Sequence, residues 1–296
     1  MMVSCTGADF APLPAGSQRG RVLACFPHAV TIAMDDGRLL SLLPEDRPRG
    51  MRTVHVHDAA WPRLRAALQP GSAALLDDRA LHFAHLRLPL GTGPRWQSPQ
   101  AGELLRIDTL DPGRLGRAGQ WLEATLRARR PESDPSWRAA HRGFIAVLDS
   151  LDGAGAALDD SVRAAIGLGP GLTPSADDML VGLLPGLQVM QRAQARRRLV
   201  DCIVAHDRDT TCHSRDSLAQ ACNGWLNSSL GAVLGALSTR ADAAELLPAL
   251  EAQAAVGHHS GLDILIGLLA ALHHAGEGTR RPMAAPSTLP FESAWP

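Results

Sequence analysis

Apolar residues follow two different spacings along this chain, and the change falls near residue 100. Before it, short apolar runs alternate with turn signals such as Asp35-Asp36-Gly37 and Gln69-Pro70-Gly71, a pattern typical of antiparallel strands. Glycines and prolines between residues 91 and 99 interrupt this pattern and indicate a linker. The sequence therefore predicts a small sheet or barrel whose clearest strands lie at 22–26, 29–34, 53–57 and 81–86.

Helical spacing begins after Asp111, which together with Pro112 forms a typical helix start. Helices are expected as far as about His274, and the remaining residues are rich in Pro, Ala, Ser and Thr, which indicates a loosely ordered tail. We therefore predict an α+β protein. It comprises an N-terminal small antiparallel β domain at 1–95, a mainly α-helical domain at 105–275 and a tail at 276–296.

Composition excludes several function classes. The formal net charge is −1, so nothing marks the whole chain as a binder of nucleic acid. All 29 basic residues are Arg, and the chain contains neither Lys nor Tyr. A Schiff-base lysine, an anchor for pyridoxal phosphate and a P-loop are therefore excluded. Any bound anion must be held by Arg, by hydroxyl groups or by backbone N–H groups.

Cysteines and apolar runs bear on location. The five cysteines are odd in number and form no C-x-x-C pair, which argues against a disulfide framework and a zinc knuckle. The longest apolar runs, 179–190 and 264–272, are too short to span a bilayer, and residues 1–20 lack the apolar core of a signal peptide. We expect a cytoplasmic protein with reduced thiols and no membrane partner.

A glycine-rich loop precedes the most informative helix start, at residues 167–184. Ser175 is followed three residues later by Asp178 and then by an apolar run, which predicts a helix capped by Ser175. A helix start offers free N–H groups and a partial positive charge, and glycines let a ligand approach the backbone. The segment is therefore a candidate anion site.

The same pattern returns 85 residues later, at 257–269. Aligning Gly182 with Gly267 superposes Ser175 on Ser260 and Asp178 on Asp263, with six identities in ten positions. Because Gly inside a helix costs roughly 0.5–1 kcal/mol relative to Ala, a repeated Gly predicts that the two helix backbones approach closely there.

The chemistry of the two starts leaves alternatives open. A Ser-x-x-Asp cap and a tightly packed helix pair need no ligand. Asp177 and Asp178, however, are unsuited to a pure anion cradle and suit a substrate that presents both donor and acceptor atoms, such as an amide or ureido acid. No cofactor is predicted, although Mg²⁺ bridging carboxylates to a phosphate is the other alternative.

Two further polar segments lie nearby. Residues 206–214 match no spacing of metal ligands, so no metal is assigned there, and the simplest interpretation is a solvated helix start capped by Asp209 or Thr210. Its hydroxyls can still reach a neighbouring pocket. His258 and His259 precede the second helix start, where an imidazole can act as general acid or base, although a loop role accounts for them equally well.

The blocks Gly167–Leu184, Thr210–Ser214 and Gly257–Gly267 together resemble the family that includes the H subunit of oxamate carbamoyltransferase. The resemblance covers roughly residues 158–272. It implies a part in ureide catabolism, such as that of allantoin, in which oxalurate and phosphate give oxamate and carbamoyl phosphate within a multi-subunit enzyme. On this reading Gly169, Gly171, Thr173 and Ser175 hold an anion, while Asp178, Asp263 and Ser260 orient the ureido or carbamoyl group.

Three hypotheses follow: a subunit of a carbamoyl-transferring complex, a non-catalytic scaffold or ligand-sensing subunit, and a stand-alone binder of a small anionic metabolite. The expected partners are other subunits and a small anionic substrate. The candidate catalytic residues are Asp178, Asp263 and His258. The candidate substrate-binding residues are Gly169, Gly171, Thr173, Ser175, Asp177, Asp178, Thr210, Thr211, Ser214, His259, Ser260 and Asp263.

Overall fold

The computed structural model describes residues 3–10, 16–91, 93–129, 134–153 and 155–277. The chain divides into two compact units, one ending at Ser98 and the other beginning at Pro99. The tail predicted at 276–296 lies outside the described residues, apart from residues 276 and 277, which end the last helix.

The described part of the first unit contains a nine-stranded sheet in the order β8-β7-β6-β2-β3-β4-β5-β1-β9. All neighbours pair antiparallel except β4 with β5 and β1 with β9, which are parallel. The predicted α+β class with an antiparallel-rich N-terminal sheet is therefore confirmed. The strands are β1 Val3–Gly7, β2 Gln18–Phe26, β3 Ala29–Met34, β4 Leu39–Pro44, β5 Thr53–Val56, β6 Ala73–Leu76, β7 Ala80–Phe83, β8 Leu86–Pro89 and β9 Arg95–Trp96, and the helix α1 covers Trp61–Ala67.

Two local predictions in this unit are wrong. The single strand expected at 81–86 is a hairpin, in which Phe83 pairs with Leu86 around a two-residue turn. Both arms bury apolar residues, such as Leu81 and Leu88, so a short apolar run does not reveal where the chain reverses. The linker predicted from residue 91 begins too early, because β9 still pairs with β1.

The second unit is helical in its described residues. Its first long helix begins where predicted, because the Asp111 carboxylate accepts hydrogen bonds from the N–H groups of Gly113 and Arg114 at 2.8 and 3.1 Å. The α-helices are α2 Ala101–Leu104, α3 Pro112–Arg129, α4 Pro135–Ser150, α5 Gly155–Ala165, α6 Ser175–Val189, α7 Ala193–Ala205, α8 Cys212–Cys222, α9 Ser228–Ala236, α10 Leu246–Ala254 and α11 Ser260–Glu277.

Helix α6 lies at the centre of this unit, with thirteen of its fifteen residues buried, and it packs most extensively on α11. A Cβ atom added to Gly182 would overlap the carbonyl group of Ile264, and one added to Gly267 would overlap that of Met179. The predicted close approach of the two backbones is therefore confirmed. Only glycine allows the helices to lie at this distance.

The contacts also set the direction of the two helices. Thr173 meets Ser260 at the beginning of the two helices, Gly182 meets Ile264 further along, and Gly186 meets Ala271 beyond that. The contacts advance together along both chains, so α6 and α11 run parallel and begin at the same end. Within the described residues, no helix is long and apolar enough to cross a membrane.

Candidate functional site

Two buried carboxyl groups lie where α6 and α11 begin side by side. Asp178 and Asp263 each stand one turn before the glycine at which the helices touch, and their exposed fractions are 3% and 1%. The charge of Asp263 acts on Asp178 and raises its pKa. The structure thus brings together two residues that are 85 positions apart in the sequence.

Two hydroxyl groups cover this pair. The oxygens Thr173 Oγ1 and Ser260 Oγ are 2.7 Å apart, and both side chains hydrogen-bond to the carboxyl group of Asp178. Burial, followed by the charge of Asp263, raises the pKa of Asp178 well above its ordinary range, and the two hydroxyls only partly oppose this. The Oδ2 atom of Asp178 is buried and has no hydrogen-bond partner among the described residues.

Asp263 has a different environment. The indole Nε1–H of Trp137, from α4, donates a hydrogen bond of 3.0 Å to its Oδ1 atom. Trp137 is itself buried and stacks on His141 with ring centroids 5.1 Å apart. The sequence does not predict this contact, because apolar spacing carries no sign that the indole nitrogen of Trp137 reaches a carboxylate.

Asp177, the neighbour of Asp178, belongs to a separate cluster that anchors α8. Its carboxylate accepts hydrogen bonds from the Gly167 N–H at 2.9 Å, from Thr210 Oγ1 at 2.5 Å and from Ser214 Oγ at 2.6 Å. Burial raises the pKa of Asp177, and these hydrogen bonds oppose the rise. Three of the predicted ligand-binding residues therefore bind one another.

The start of α8 corrects one interpretation. Its cap is Thr211, not Asp209 or Thr210, because the Thr211 hydroxyl accepts a hydrogen bond from the Ser214 N–H at 3.1 Å. The same hydroxyl donates to the carbonyl group of Leu172, which ties α8 to the glycine-rich loop. Thr210 is not free to cap, since its hydroxyl is directed to Asp177.

The loop glycines are required by backbone geometry. Gly167, Gly169 and Gly171 have φ angles of +79°, +118° and +94°, in the left-handed region that residues with a Cβ avoid. A Cβ on Gly169 would also crowd the backbone of Ser175, whereas Gly171 faces open space. These conformations account for the glycine pattern without a ligand, and only the exposed Gly171 leaves room beside it.

The helix starts themselves differ from the predicted anion cradle. Ser175 is the first residue of α6 rather than its cap; Pro174 occupies the cap position, and no side chain caps the helix. The N–H of Ala176 donates to the Leu168 carbonyl, and that of Gly261 donates to the Val256 carbonyl. Several backbone donors expected to face an anion are therefore used within the protein.

The histidine pair lies at the entrance to the second start. The carbonyl group of His259 accepts hydrogen bonds from the N–H groups of Leu262 and Asp263, so His259 holds the position that Pro174 holds in α6. His258 is exposed and packs edge-on against His259, with ring centroids 4.1 Å apart. Both residues directly precede Ser260, the first residue of α11.

No group of three or more His, Cys, Asp or Glu side chains is placed to hold a metal ion within the described ranges. The carboxyl group of Asp178 is hydrogen-bonded by the hydroxyls of Thr173 and Ser260, and that of Asp263 accepts a hydrogen bond from Trp137. Involvement of Mg²⁺ therefore stays a prediction.

Comparison with protein families identifies this region. The family model described as oxamate carbamoyltransferase subunit AllH matches residues 165–272. This part of the chain is AllH-like. The match includes α6, α8 and α11 as far as residue 272, with all the candidate site residues, and it confirms the resemblance inferred from the glycine-rich blocks. Searches of curated proteins and of solved structures find no match.

Proposed function

We propose that this chain is a subunit of a carbamoyl-transferring enzyme related to oxamate carbamoyltransferase. The substrate would be a ureido acid such as oxalurate, used with phosphate or carbamoyl phosphate. The AllH match over residues 165–272 supports the enzyme class and the presence of partner subunits. The observation that carries the proposal is the carboxyl pair Asp178 and Asp263 at two adjacent helix starts.

The side chains at the two helix starts can bind both the donor and the acceptor groups of such a substrate. A ureido acid presents acceptor oxygens and donor N–H groups on one small planar frame. Hydroxyls of Thr173 and Ser260 can donate or accept, while the Asp263 carboxylate accepts. Gly171, which is exposed, precedes Thr173 by two residues, and half-buried His259 directly precedes Ser260. The site therefore offers the mixed hydrogen bonding that a pure phosphate cradle lacks.

Location and partners form part of the same proposal. All five cysteines, Cys5, Cys25, Cys202, Cys212 and Cys222, are free thiols, which supports a reducing compartment such as the cytoplasm. Because part of the backbone donor set is used internally, we propose that partner subunits complete the binding of the anionic end of the substrate.

A thermal-shift screen of the purified chain tests ligand binding. The arms are phosphate, carbamoyl phosphate, oxamate, oxalurate and Mg²⁺, because a ligand that binds only the folded state raises the apparent melting temperature. We expect a rise with carbamoyl phosphate or oxalurate that disappears in Asp178→Asn and Asp263→Asn. Asp160→Asn, an exposed aspartate on α5, is the matched control and should keep the rise.

Activity of the assembled complex separates an enzyme subunit from a scaffold. The internal hydrogen bonding of Asp177 is the observation that favours a scaffold or ligand-sensing role, since those groups already serve the fold. If Asp178→Asn and Asp263→Asn leave the complex assembled but inactive, the catalytic proposal stands. Full activity in both variants would show that the chain only supports its partners.

A further inference from the structure

We propose that the two carboxyl groups have unequal tasks: Trp137 holds Asp263 as the charged member, and Asp178 carries a proton and presents it to an acceptor oxygen of the ligand. Trp137 is then a positioning residue, which acts through Asp263. The assignment deepens the proposed function and rests on it only for the identity of the ligand, a small acid that carries an amide or ureido group.

Hydrogen bonding distinguishes the two members. An indole N–H can only donate, so the 3.0 Å contact from Trp137 requires an acceptor on Asp263 and favours its ionised form. The partners of Asp178 are the hydroxyls of Thr173 and Ser260, which can accept as well as donate. These hydroxyls lower the pKa of Asp178, but burial and the charge of Asp263 outweigh them.

Charge and burial act in the same direction. Two carboxylates that share a buried site cannot both ionise readily, because each charge raises the cost of the other in a medium of low dielectric constant. The charged groups acting on Asp178 are Asp263 on α11 and Asp177 on its own helix. Helix α4 contributes Trp137 with His141 stacked on it.

The Oδ2 atom of Asp178 is the atom at which we expect a ligand to bind. Its Oδ2 atom is buried and has no hydrogen-bond partner in the described structure, and only 3% of the residue is exposed. A buried polar atom without a partner is costly, and a ligand oxygen that accepts a hydrogen bond from it would remove that cost. The site should therefore prefer a carboxylate or amide oxygen and should disfavour a cation.

Carbon-13 NMR of the full chain, labelled at the aspartate carboxyl carbons, tests the assignment without any substrate. We expect one carboxyl resonance to titrate at a much higher pH than the others, and this resonance should be absent from the Asp178→Asn variant. In Asp263→Asn it should persist and titrate at lower pH, because a neighbouring charge has been removed. Asp177 gives a separate, less shifted resonance, which is identified by its loss in Asp177→Asn.

Replacement of the indole tests the positioning role. Trp137→Phe keeps the aromatic packing and removes the N–H donor, so the Asp263 resonance should titrate at higher pH. Trp61→Phe is the matched control, because it removes an indole hydrogen bond of the same length, to the Pro27 carbonyl, in the first unit. It should leave both resonances unchanged.

Three results would overturn the proposal. In the first, the resonance that titrates at high pH survives in Asp178→Asn and vanishes in Asp263→Asn. In the second, every aspartate loses its proton within the ordinary pH range of carboxyl groups. In the third, Trp137→Phe leaves the titration of Asp263 unchanged. None of these depends on the ligand. A negative ligand screen would therefore count against the proposed function while leaving the proton assignment standing.

Discussion

The starts of α6 and α11 have nearly the same sequence, yet the protein uses them differently. Both present Ser, Asp and Gly at equivalent positions; the repeated Asp residues form the carboxyl pair, and the repeated Gly residues form the close helix contact. Asp177 in α6 corresponds to Leu262 in α11, and both side chains are fully buried. One is hydrogen-bonded to α8 and the preceding loop, whereas the other is an apolar core residue.

This difference separates two kinds of constraint. The recurring Asp and Gly residues serve the relation between the helices, since Asp178 interacts with Asp263, and Gly182 and Gly267 each contact the backbone of the other helix. Residues that differ, such as Asp177 and Leu262, join each helix to its own surroundings. Residues that occur in both copies therefore mark the interface between α6 and α11, whereas Asp177, an acid that occurs in one copy only, marks a contact between α6 and its own surroundings. The four predictions below test that division.

The largest effect is expected at the helix contact. In Gly182→Ala or Gly267→Ala the added methyl group meets backbone, which cannot move independently, so the free energy of unfolding should fall by about 3 kcal/mol or more. Urea unfolding followed by far-ultraviolet circular dichroism measures the change. Gly116→Ala, in α3 and facing open space, is the matched control and should raise stability by about 0.5–1 kcal/mol. Equal effects at both places would contradict the close packing.

Loss of the local anchor should have the next largest effect. Asp177→Ala removes one carboxylate and leaves the Gly167 N–H and the hydroxyls of Thr210 and Ser214 without their acceptor. We expect unfolding to become easier by about 2–3 kcal/mol, because buried donors lose their partners. Ser214→Ala, which removes a single donor, should cost about 1 kcal/mol by the same measurement. An Asp177→Ala variant as stable as the wild type would mean that α8 is held by other contacts.

The glycine-rich loop should show a smaller effect. Gly171 has a left-handed backbone but open space around it, so Gly171→Ala should cost about 1–2 kcal/mol from backbone strain alone. Gly169→Ala combines the same strain with a clash against Ser175, and it should be the more destabilising of the two. Thermal unfolding of both variants ranks them, and the reverse order would show that the loop has another conformation.

The smallest effect should have the opposite sign. The folded-state pKa of Asp178 lies above its unfolded value, so the folded protein binds the extra proton between the two, and stability falls as the pH rises through that window. Asp178→Asn avoids this loss. At pH 8 the variant should therefore be more stable than the wild type by on the order of 1 kcal/mol. Replacement of a functional group that is costly to the fold commonly stabilises a protein in this way.

Measurement at acid pH supplies the check on that sign. Below the ordinary range of carboxyl groups both states are protonated, so the advantage of Asp178→Asn should disappear near pH 3 to 4. Asp160→Asn, at an exposed position, should differ little from the wild type at either pH. A variant less stable than the wild type at pH 8 would mean that the ionised carboxylate contributes to folding.

Part of the fold was accessible from local pattern. The change of spacing near residue 100 predicts the α+β class, Asp111 predicts the start of α3, and the repeated glycine predicts the helix contact. Each of these depends on residues close together or on a repeat that can be read directly. The hairpin at Phe83 and Leu86 was missed because apolar spacing does not record a reversal between two buried strands.

The repeated helix starts are present in the sequence itself and direct attention to Asp178 and Asp263, and the region that contains them is similar to the AllH family model. Only the tertiary structure decides what each acid does. The indole of Trp137 reaches Asp263 across 126 positions, and Ser214 reaches Asp177 across 37. Burial and hydrogen bonding set the charge of a carboxyl group, and both are properties of the packed surroundings that adjacent residues, such as Asp177 and Asp178, need not share.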